Sequence, residues 1–351
     1  MFSKYLLTGA SGFLGRAVLG ELKKKRREIR VLVMDDDPVS VELSESVSVV
    51  RGDVCSDASL ERFFSGSDGK TCVIHCAGIV SVVSHPGERI YRVNVGGTNN
   101  IIRQCEKMRV GKLVYVSSVH ALPEKPDGTE ISENAVFSPD LVRGDYAKSK
   151  AIATSLVFEA AGRGLNASVV FPSGIIGPGD IGKGSITNML MAFIAGKLPM
   201  AVRGGYDFVD VRDVAAGVVS CAEQGRRGCG YILSGHYATI RDILISAKET
   251  LGLKRFVSFL PVCLAKLVAP ICERRSLRKK QMPYFTPYSV SVLESNCLFN
   301  RSAATAAFGY APRPVKSSIR DTVLWLKSLR KLPGEDPERQ DTGTDDQRGV
   351  P

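Results

Sequence analysis

Short apolar runs alternate with helix-length amphipathic segments through the first half of the chain. YLLT (5–8) leads into SGFLGRAVLGELKKK, then IRVLVM (29–34), VSVVRGD (47–53) and the helix-like ASLERFFSG. CVIHCAG (72–78), VNVGGTNNIIRQCEKM (93–108), KLVYVSS (112–118), a helix around Tyr146 and ASVVFPS (167–173) continue the series. That order is βαβ repeated, and the strands are continuous Val/Ile/Leu runs rather than alternating ones. Such runs predict a parallel sheet covered by helices on both faces, an α/β doubly wound class. A sheet of that kind holds its ligand beyond the carboxyl ends of the strands, where each motif discussed below falls.

After Pro172 the alternation breaks down. GPGDIGKGS (177–185) is expected as a loop, ITNMLMAFIAGK as a helix, YDFVDVRDVAAGVVSCAEQG as a short strand with a helix, and YILSG (231–235) as a late strand. From Thr239 the elements are mostly helical and punctuated by proline, which predicts a smaller, mostly helical C-terminal substrate lid built on the sheet. The division expected is one catalytic unit, 1–331, with 1–171 and 205–238 as the core and 172–204 and 239–331 as the lid. VSFLPVCLAKLVAPIC (257–272) is the most apolar stretch of the lid; Pro261, Lys266 and Pro270 interrupt it, and it is shorter than the roughly 20 residues that span a bilayer. With ERRSLRKK (273–280) directly after it, peripheral membrane contact through 257–280 is one expectation, and a lid helix over an apolar substrate is the favoured one.

Composition narrows the class. The chain has 351 residues, 44% of them hydrophobic, enough for a sizeable core, and MFSKYLL runs straight into TGASG with no secretory signal pattern, so a cytoplasmic, reducing location is expected. Nine cysteines are scattered without ligand spacing; His75 in TCVIHCAG should face away from Cys72 and Cys76 along a strand. They are expected as buried free thiols, with no metal. The net charge is +11, and the tail from Leu332 carries six acids against two bases, so the rest of the chain is near +15. That tail, 332–351, is expected to be disordered. The basic clusters KKKRR (23–27), RR (226–227) and ERRSLRKK could attract anionic surfaces, but we read them as a solvated basic face and expect no nucleic-acid partner.

Candidate chemistry begins at TGASGFLG. Gly9, Gly12 and Gly15 lie between the first strand and first helix, and Asp35 follows 20 residues later at the end of the second strand. Gly9 permits the turn, Gly12 admits a pyrophosphate to the backbone, Gly15 lets helix and strand pack, and the helix N-terminus supplies N–H groups. The acid in VLVMDDDP can bind both ribose hydroxyls and repels a 2'-phosphate, so NAD is favoured over NADP, although Arg30 or Arg51 lies within reach of the same ribose. RGDV (51–54) offers Asp53, with Val54 beside it, to an adenine amino group; the plainer role for Asp53 is to cap a turn.

GDYAKSK (144–150) places two lysines after Tyr146. On a helix Lys150 is one turn on and on the same face, whereas Lys148 is displaced by about 200°. Asp145 is expected to cap this helix and Gly162 or Gly164 to end it. A tyrosine acting as base near neutrality needs its pKa lowered by about two to three units, roughly 3 to 4 kcal/mol, and a neighbouring ammonium contributes to that.

TGASGFLG, GDV, HCAG, NVGGTNN, VSS and YAKSK in this order resemble the extended short-chain dehydrogenases/reductases, the NAD-dependent epimerase/dehydratase superfamily, over roughly residues 4–328. FPSGIIGPGD (171–180) and FVDVRDVAAGV (208–218) are similar to later segments of the same family. The resemblance implies a Rossmann-type fold and an NAD(P)-dependent dehydrogenase or reductase acting on CH–OH groups. It implies Ser118 as the catalytic hydroxyl, Tyr146 as acid/base and Lys150 as activating amine. It also implies Gly9, Gly12, Phe13, Leu14 and Gly15 in the dinucleotide loop, Cys76, Ala77 and Gly78 under the adenosine half, Asn94 helping to shape the site, and Pro172 and Ser173 near the nicotinamide. Phe171 departs from the arginine many members carry there, which removes any polar role. A homodimer through the helices near GGTNNII and Tyr146 is implied in the same way.

SSVHALP lacks the acid that sugar-nucleotide dehydratases of the family place after the serine, and the tyrosine-glycine pair of the epimerases is absent. The C-terminal half, from FLPVCLAKLVAPICE to AFGYAPRP, resembles the dihydroflavonol reductase and 3β-hydroxysteroid dehydrogenase branch. The expected substrate is therefore a bulky, apolar secondary alcohol or ketone, sterol-like or flavonoid-like. Asn94, His120 and Met189 are candidate substrate contacts. A sugar-nucleotide 4-epimerase with tightly bound NAD is the alternative, and a catalytically inactive NAD(P) sensor the third option.

Overall fold

A computed structural model describes residues 2–37, 47–83, 87–181, 184–198, 200–278 and 286–329. The tail 332–351 and the basic residues Lys279 and Lys280 lie outside the described residues. Seven strands, β1 (Lys4–Thr8), β2 (Glu28–Val33), β3 (Ser48–Arg51), β4 (Thr71–His75), β5 (Lys112–Val116), β6 (Ala167–Pro172) and β10 (Gly230–Leu233), form one sheet. Its order is β3-β2-β1-β4-β5-β6-β10 and every pairing is parallel.

Two-residue alternation divides the apolar strand residues between two cores. Tyr5, Leu7, Val31, Val33, Cys72, Ile74 and Val114 pack on one face with Val18 and Leu22 of helix Phe13–Lys24 and with Val214 and Val218 of helix Val211–Gln224. Leu6, Leu32, Val73, Leu113 and Tyr115 pack on the other with Ile101 and Cys105 of helix Thr98–Lys107 and Val157 of helix Asp145–Gly162. Burial on both faces is why these strands read as unbroken apolar runs. A lysine lies at the start of β5 inside the fold: Lys112 is 1% exposed, and its Nζ donates to Ser168 Oγ and Gly225 O at 2.6 Å and to Asn166 Oδ1 at 3.3 Å, satisfying all three N–H groups.

Residues 205–238 serve two sheets. β9 (Gly205–Asp210) and β11 (His236–Thr239) pair antiparallel, and β7 (Gly174–Ile176) pairs parallel with β9, making a three-stranded sheet apart from the main one that β10 joins. β8 (Met200–Val202) and β12 (Ser258–Leu260) form a small parallel pair. The lid is otherwise helical, at Ser185–Ile194, Ile240–Leu251, Val262–Arg278, Pro287–Val292 and Ser302–Phe308. Helix Val315–Leu329 is tied back by Arg212, which bridges Asp210 and Asp321 at 2.7 Å. All nine cysteines are free; Cys72, Cys105 and Cys221 are buried as expected, five are half-buried, and Cys263 is exposed, a correction forced by its place on the outer side of a helix.

Candidate active site and cofactor cleft

Thr8 lies opposite His75 at the carboxyl ends of β1 and β4, the point where the connections leave in opposite directions and a crevice opens. Gly9 turns the chain there at φ +73°, and a Cβ on it would stand 2.7 Å from Ala77 N. A Cβ on Gly15 would collide with Gly9 O, so helix Phe13–Lys24 comes against the turn only because both positions lack side chains. No side chain caps this helix at Gly12 and no acid occupies its first turn. Uncapped N–H groups at a bare, positively polarised helix end beside the switch point fit a pyrophosphate, so the residues present fit a dinucleotide. Phe13 and Leu14 are half-buried at that end, and Leu14 packs into the adjoining core.

Behind the turn runs a directional chain of hydrogen bonds. Thr98 Oγ1 donates to Asn94 O at 2.6 Å and so accepts from His75 Nε2 at 3.1 Å. His75 Nδ1 then accepts from Thr8 Oγ1 at 2.7 Å, which in turn accepts from the Ala77 N–H at 3.2 Å. His75 is thereby held neutral, and burial pushes its pKa down to about 3. The chain fixes Ala77, and with it Cys76 and Gly78, beside the glycine turn.

Asn94 sits in a π-helical turn, Arg92–Gly97, that leads into helix Thr98–Lys107. Its amide is fully engaged: Oδ1 accepts from Ile79 N at 2.7 Å, and Nδ2 donates to Ile79 O and Ser149 Oγ, both at 3.0 Å. Asn94 therefore fastens the loop after Gly78 to the helix carrying Tyr146. Gly78 lies over the result, with space for a Cβ only 3.5 Å from Lys150 Nζ.

Tyr146 and Lys150 share the inner face of helix Asp145–Gly162 and are both buried. Lys150 Nζ donates to Val116 O at 2.8 Å and Tyr115 Oη at 3.3 Å, and lies 4.8 Å from the Tyr115 ring centroid. Two N–H groups are thus spent on holding the amine at the end of β5. Burial lowers its pKa to about 8. Burial also raises Tyr146, against which a hydrogen bond from Ser118 acts. Ser118 Oγ accepts the His120 N–H at 3.2 Å, which leaves its own proton for donation toward the phenol. Lys148 is half-buried and on another face.

The helix start departs from expectation. Asp145 is the first helical residue, not the cap; the cap is Gly144 at φ +84°, and Tyr91 Oη donates to Asp145 Oδ1 at 3.1 Å. A Cβ on Gly144 would sit 2.7 Å from the Tyr288 ring of the lid, so packing from far along the chain decides the cap. The helix closes at Gly162, with Arg163 after it.

His120 joins this centre to the lid. Its ring is stacked on Tyr206 at 5.7 Å and 5°, meets Tyr146 edge-on at 6.0 Å, and tilts toward Tyr288 at 5.9 Å. Burial drives its pKa down to about 4. His120, Tyr206 and Tyr288 wall two cavities at once. One, of about 210 Å3, is apolar, with Met189, Val202, Phe208, Ile240 and Leu293 among its walls. The other, of about 480 Å3, has charged residues including Glu124, Arg143 and Lys266. Tyr146, Ser118 and Lys150 line neither; His120, whose ring meets Tyr146 and whose backbone N–H donates to Ser118, borders both. Tyr288 Oη is buried without a hydrogen-bond partner. Tyr206 and Tyr288 were not legible as site residues, since nothing near either in sequence marks it.

The remaining candidates are spread around the crevice. Asp35 is exposed beyond β2, and Arg51 donates to its backbone carbonyl at 2.8 Å. Arg30 is turned away, donating to Phe63 O and Ser65 O. Asp53 Oδ1 accepts from Cys55 N at 2.9 Å, the turn-capping role, and Val54 is buried against Gly97. Pro172 ends β6, Ser173 N donates to Leu233 O at 3.4 Å, and Phe171 is buried and stacked on Phe137. Among the described residues no His, Cys, Asp or Glu cluster could hold a metal ion.

A parallel sheet in this strand order, with a bare glycine turn at the switch point and a buried Tyr/Lys pair beside it, defines a dinucleotide-dependent enzyme architecture. The chain belongs to the NAD dependent epimerase/dehydratase family, whose model matches residues 5–234. It is 27% identical over 324 residues to "Sterol demethylase protein B" of Methylococcus capsulatus, covering 92% of this chain and 98% of that one. It is 27% identical to a "Putative dihydroflavonol 4-reductase" of Synechocystis (92% and 94% covered). Against "Sterol-4-alpha-carboxylate 3-dehydrogenase erg26, decarboxylating" of Schizosaccharomyces pombe the identity is 25% (93% and 98%). The crystal structure of gox2253 superimposes with a TM-score of 0.80 at 28% identity, covering 93% of this chain and 98% of that one. The chain is accordingly an oxidoreductase of the extended short-chain type, in the branch with dihydroflavonol reductases and 3β-hydroxysteroid dehydrogenases.

Proposed function

We propose that this enzyme interconverts a bulky, apolar secondary alcohol and its ketone, sterol-like or flavonoid-like, with NAD as cofactor. The observation that carries the substrate class is the apolar cavity bounded by His120, the residue whose ring meets Tyr146. A ring system held against Met189, Phe208 and Leu293 would direct its oxygen past His120 toward Tyr146, which does not itself line the cavity. The names of the sterol and dihydroflavonol relatives agree with that chemistry.

When bound, the nicotinamide supplies the hydride acceptor or donor. Tyr146 Oη takes the hydroxyl proton in oxidation and returns it in reduction. The Lys150 ammonium, anchored on Val116 O, favours the phenolate that burial opposes, and the one Ser118 proton, directed at the phenol before substrate binds, turns to the substrate oxygen to hold developing negative charge. Gly9, Gly12 and Gly15 would hold the pyrophosphate. Asp35 would read the ribose, since Arg30 is committed elsewhere and Asp35 repels a 2'-phosphate. Asp35→Ala should weaken NAD more than NADP in binding titrations; an unchanged preference would remove Asp35 as the ribose reader.

The purified protein, given NAD and a panel of sterols and flavonoids, should form reduced cofactor, read by its absorbance. Turnover of a sugar nucleotide with no added cofactor would instead establish the epimerase alternative and overturn this proposal.

A further inference from the structure

Helix Val262–Arg278 has one buried side and one that is exposed among the described residues. Ala265, Ala269 and Glu273 face inward, the alanines packing with Val202 and Val290, two walls of the apolar cavity. Outward stand Leu264, Leu267, Val268 and Ile271, with Leu267 at 72% and Ile271 at 68% exposure. Their spacing is i, i+3, i+4, i+7, and Arg274, Arg275 and Arg278 continue it, all three exposed. At 100° per residue these seven positions fall within an arc of about 120°. The stripe is apolar for its first two turns and basic for the rest. Lys266 lies off it, paired with Glu294 at 2.5 Å.

We propose that this face docks on an anionic lipid membrane. Four large apolar side chains held together in water are unfavourable unless something apolar receives them. No described helix is long and apolar enough to cross a membrane, and an amphipathic helix of this kind lies in the interface plane, apolar residues among the acyl chains and arginines at the headgroups. A second copy of the chain suits the face poorly, because the arc contains three arginines and no acid to pair with them when desolvated. The inner side of the same helix packs behind Val202 and Val290, two walls of the apolar cavity, so docking would turn that side of the cavity toward the lipid surface. The docking itself does not depend on the substrate proposed above.

The test is cosedimentation of the full-length protein with vesicles of phosphatidylcholine alone or mixed with phosphatidylserine. Binding should be strong only to the mixed vesicles and should weaken at high salt. Leu267→Glu with Ile271→Glu, and separately Arg274→Glu with Arg275→Glu, should each reduce the partition coefficient by about tenfold or more. Thermal unfolding should be unchanged in both, since the side chains are exposed. Absence of binding to either vesicle, equal binding by the variants, or a lipid-free dimer that Leu267→Glu with Ile271→Glu converts to monomer would overturn the proposal.

Discussion

Tyr146 and Lys150 stand one turn apart on a buried helix face, and burial works against the charged form of both. The amine is stabilised by Val116 O and Tyr115 Oη, and Lys148 has no share in that arrangement. Lys150→Ala should therefore reduce turnover at least a hundredfold while Lys148→Ala leaves it within about twofold, measured as kcat; equal losses would contradict the helical-face assignment. Because the Lys150 pKa is lowered to about 8, its ammonium is lost above that value, and kcat for alcohol oxidation should stop rising and decline there. Tyr288 makes a separate case. Its hydroxyl is buried with no partner, at a cost of about 1–3 kcal/mol if left unpaired, and it borders both cavities. A substrate oxygen would relieve that cost, so Tyr288→Phe should raise KM several-fold and leave the unliganded protein as stable or more so, read by thermal unfolding.

At the scale of elements, the strands were legible and their ends were not. β1, β2, β4, β5 and β6 are apolar runs because helices cover both faces, and that pattern is local. The glycine turn and the Tyr146/Lys150 pair were legible for the same reason, as short spacings. The second sheet was not, since β7, β9 and β11 find one another across long separations. Nor was the π-helical turn Arg92–Gly97, whose widening accompanies an Asn94 side chain committed to Ile79 and Ser149. Asp145 is the usual residue for a helix cap, yet Gly144 takes the position because Tyr288 occupies the space of its Cβ. Gly144→Ala should thus cost about 1–3 kcal/mol in chemical denaturation, from a left-handed backbone and a ring contact together. A loss under about 0.5 kcal/mol would show that the lid yields easily at this point.

At the scale of the whole molecule, two buried histidines make stability depend on pH. His75 and His120 ordinarily titrate near 6.5 and are held neutral in the fold, at about 3 and about 4. Below 6.5 the unfolded chain takes up protons that the folded chain refuses, so folding stability falls as pH is lowered. The slope should be roughly 1 kcal/mol per pH unit for each histidine, acting together down to about pH 4. Urea unfolding between pH 7 and 4.5 measures it. His75→Gln, which can still donate to Thr98, should halve that slope; an unchanged slope would mean that other groups carry the acid sensitivity.

The contact between Gly144 and Tyr288 also bears on the order in which the protein comes into being. All seven strands of the main sheet are complete by Leu233, whereas the tyrosine that packs on Gly144 at the start of the Tyr146 helix is made more than fifty residues later. A growing chain can therefore assemble the crevice beside its glycine turn while the apolar cavity has Met189, Tyr206 and Phe208 but still lacks Tyr288 and Leu293. The Tyr288 contact is the late event, and a chain cut short before Thr286 would retain the sheet strands and the Tyr206 ring stacked on His120 while lacking the Tyr288 ring.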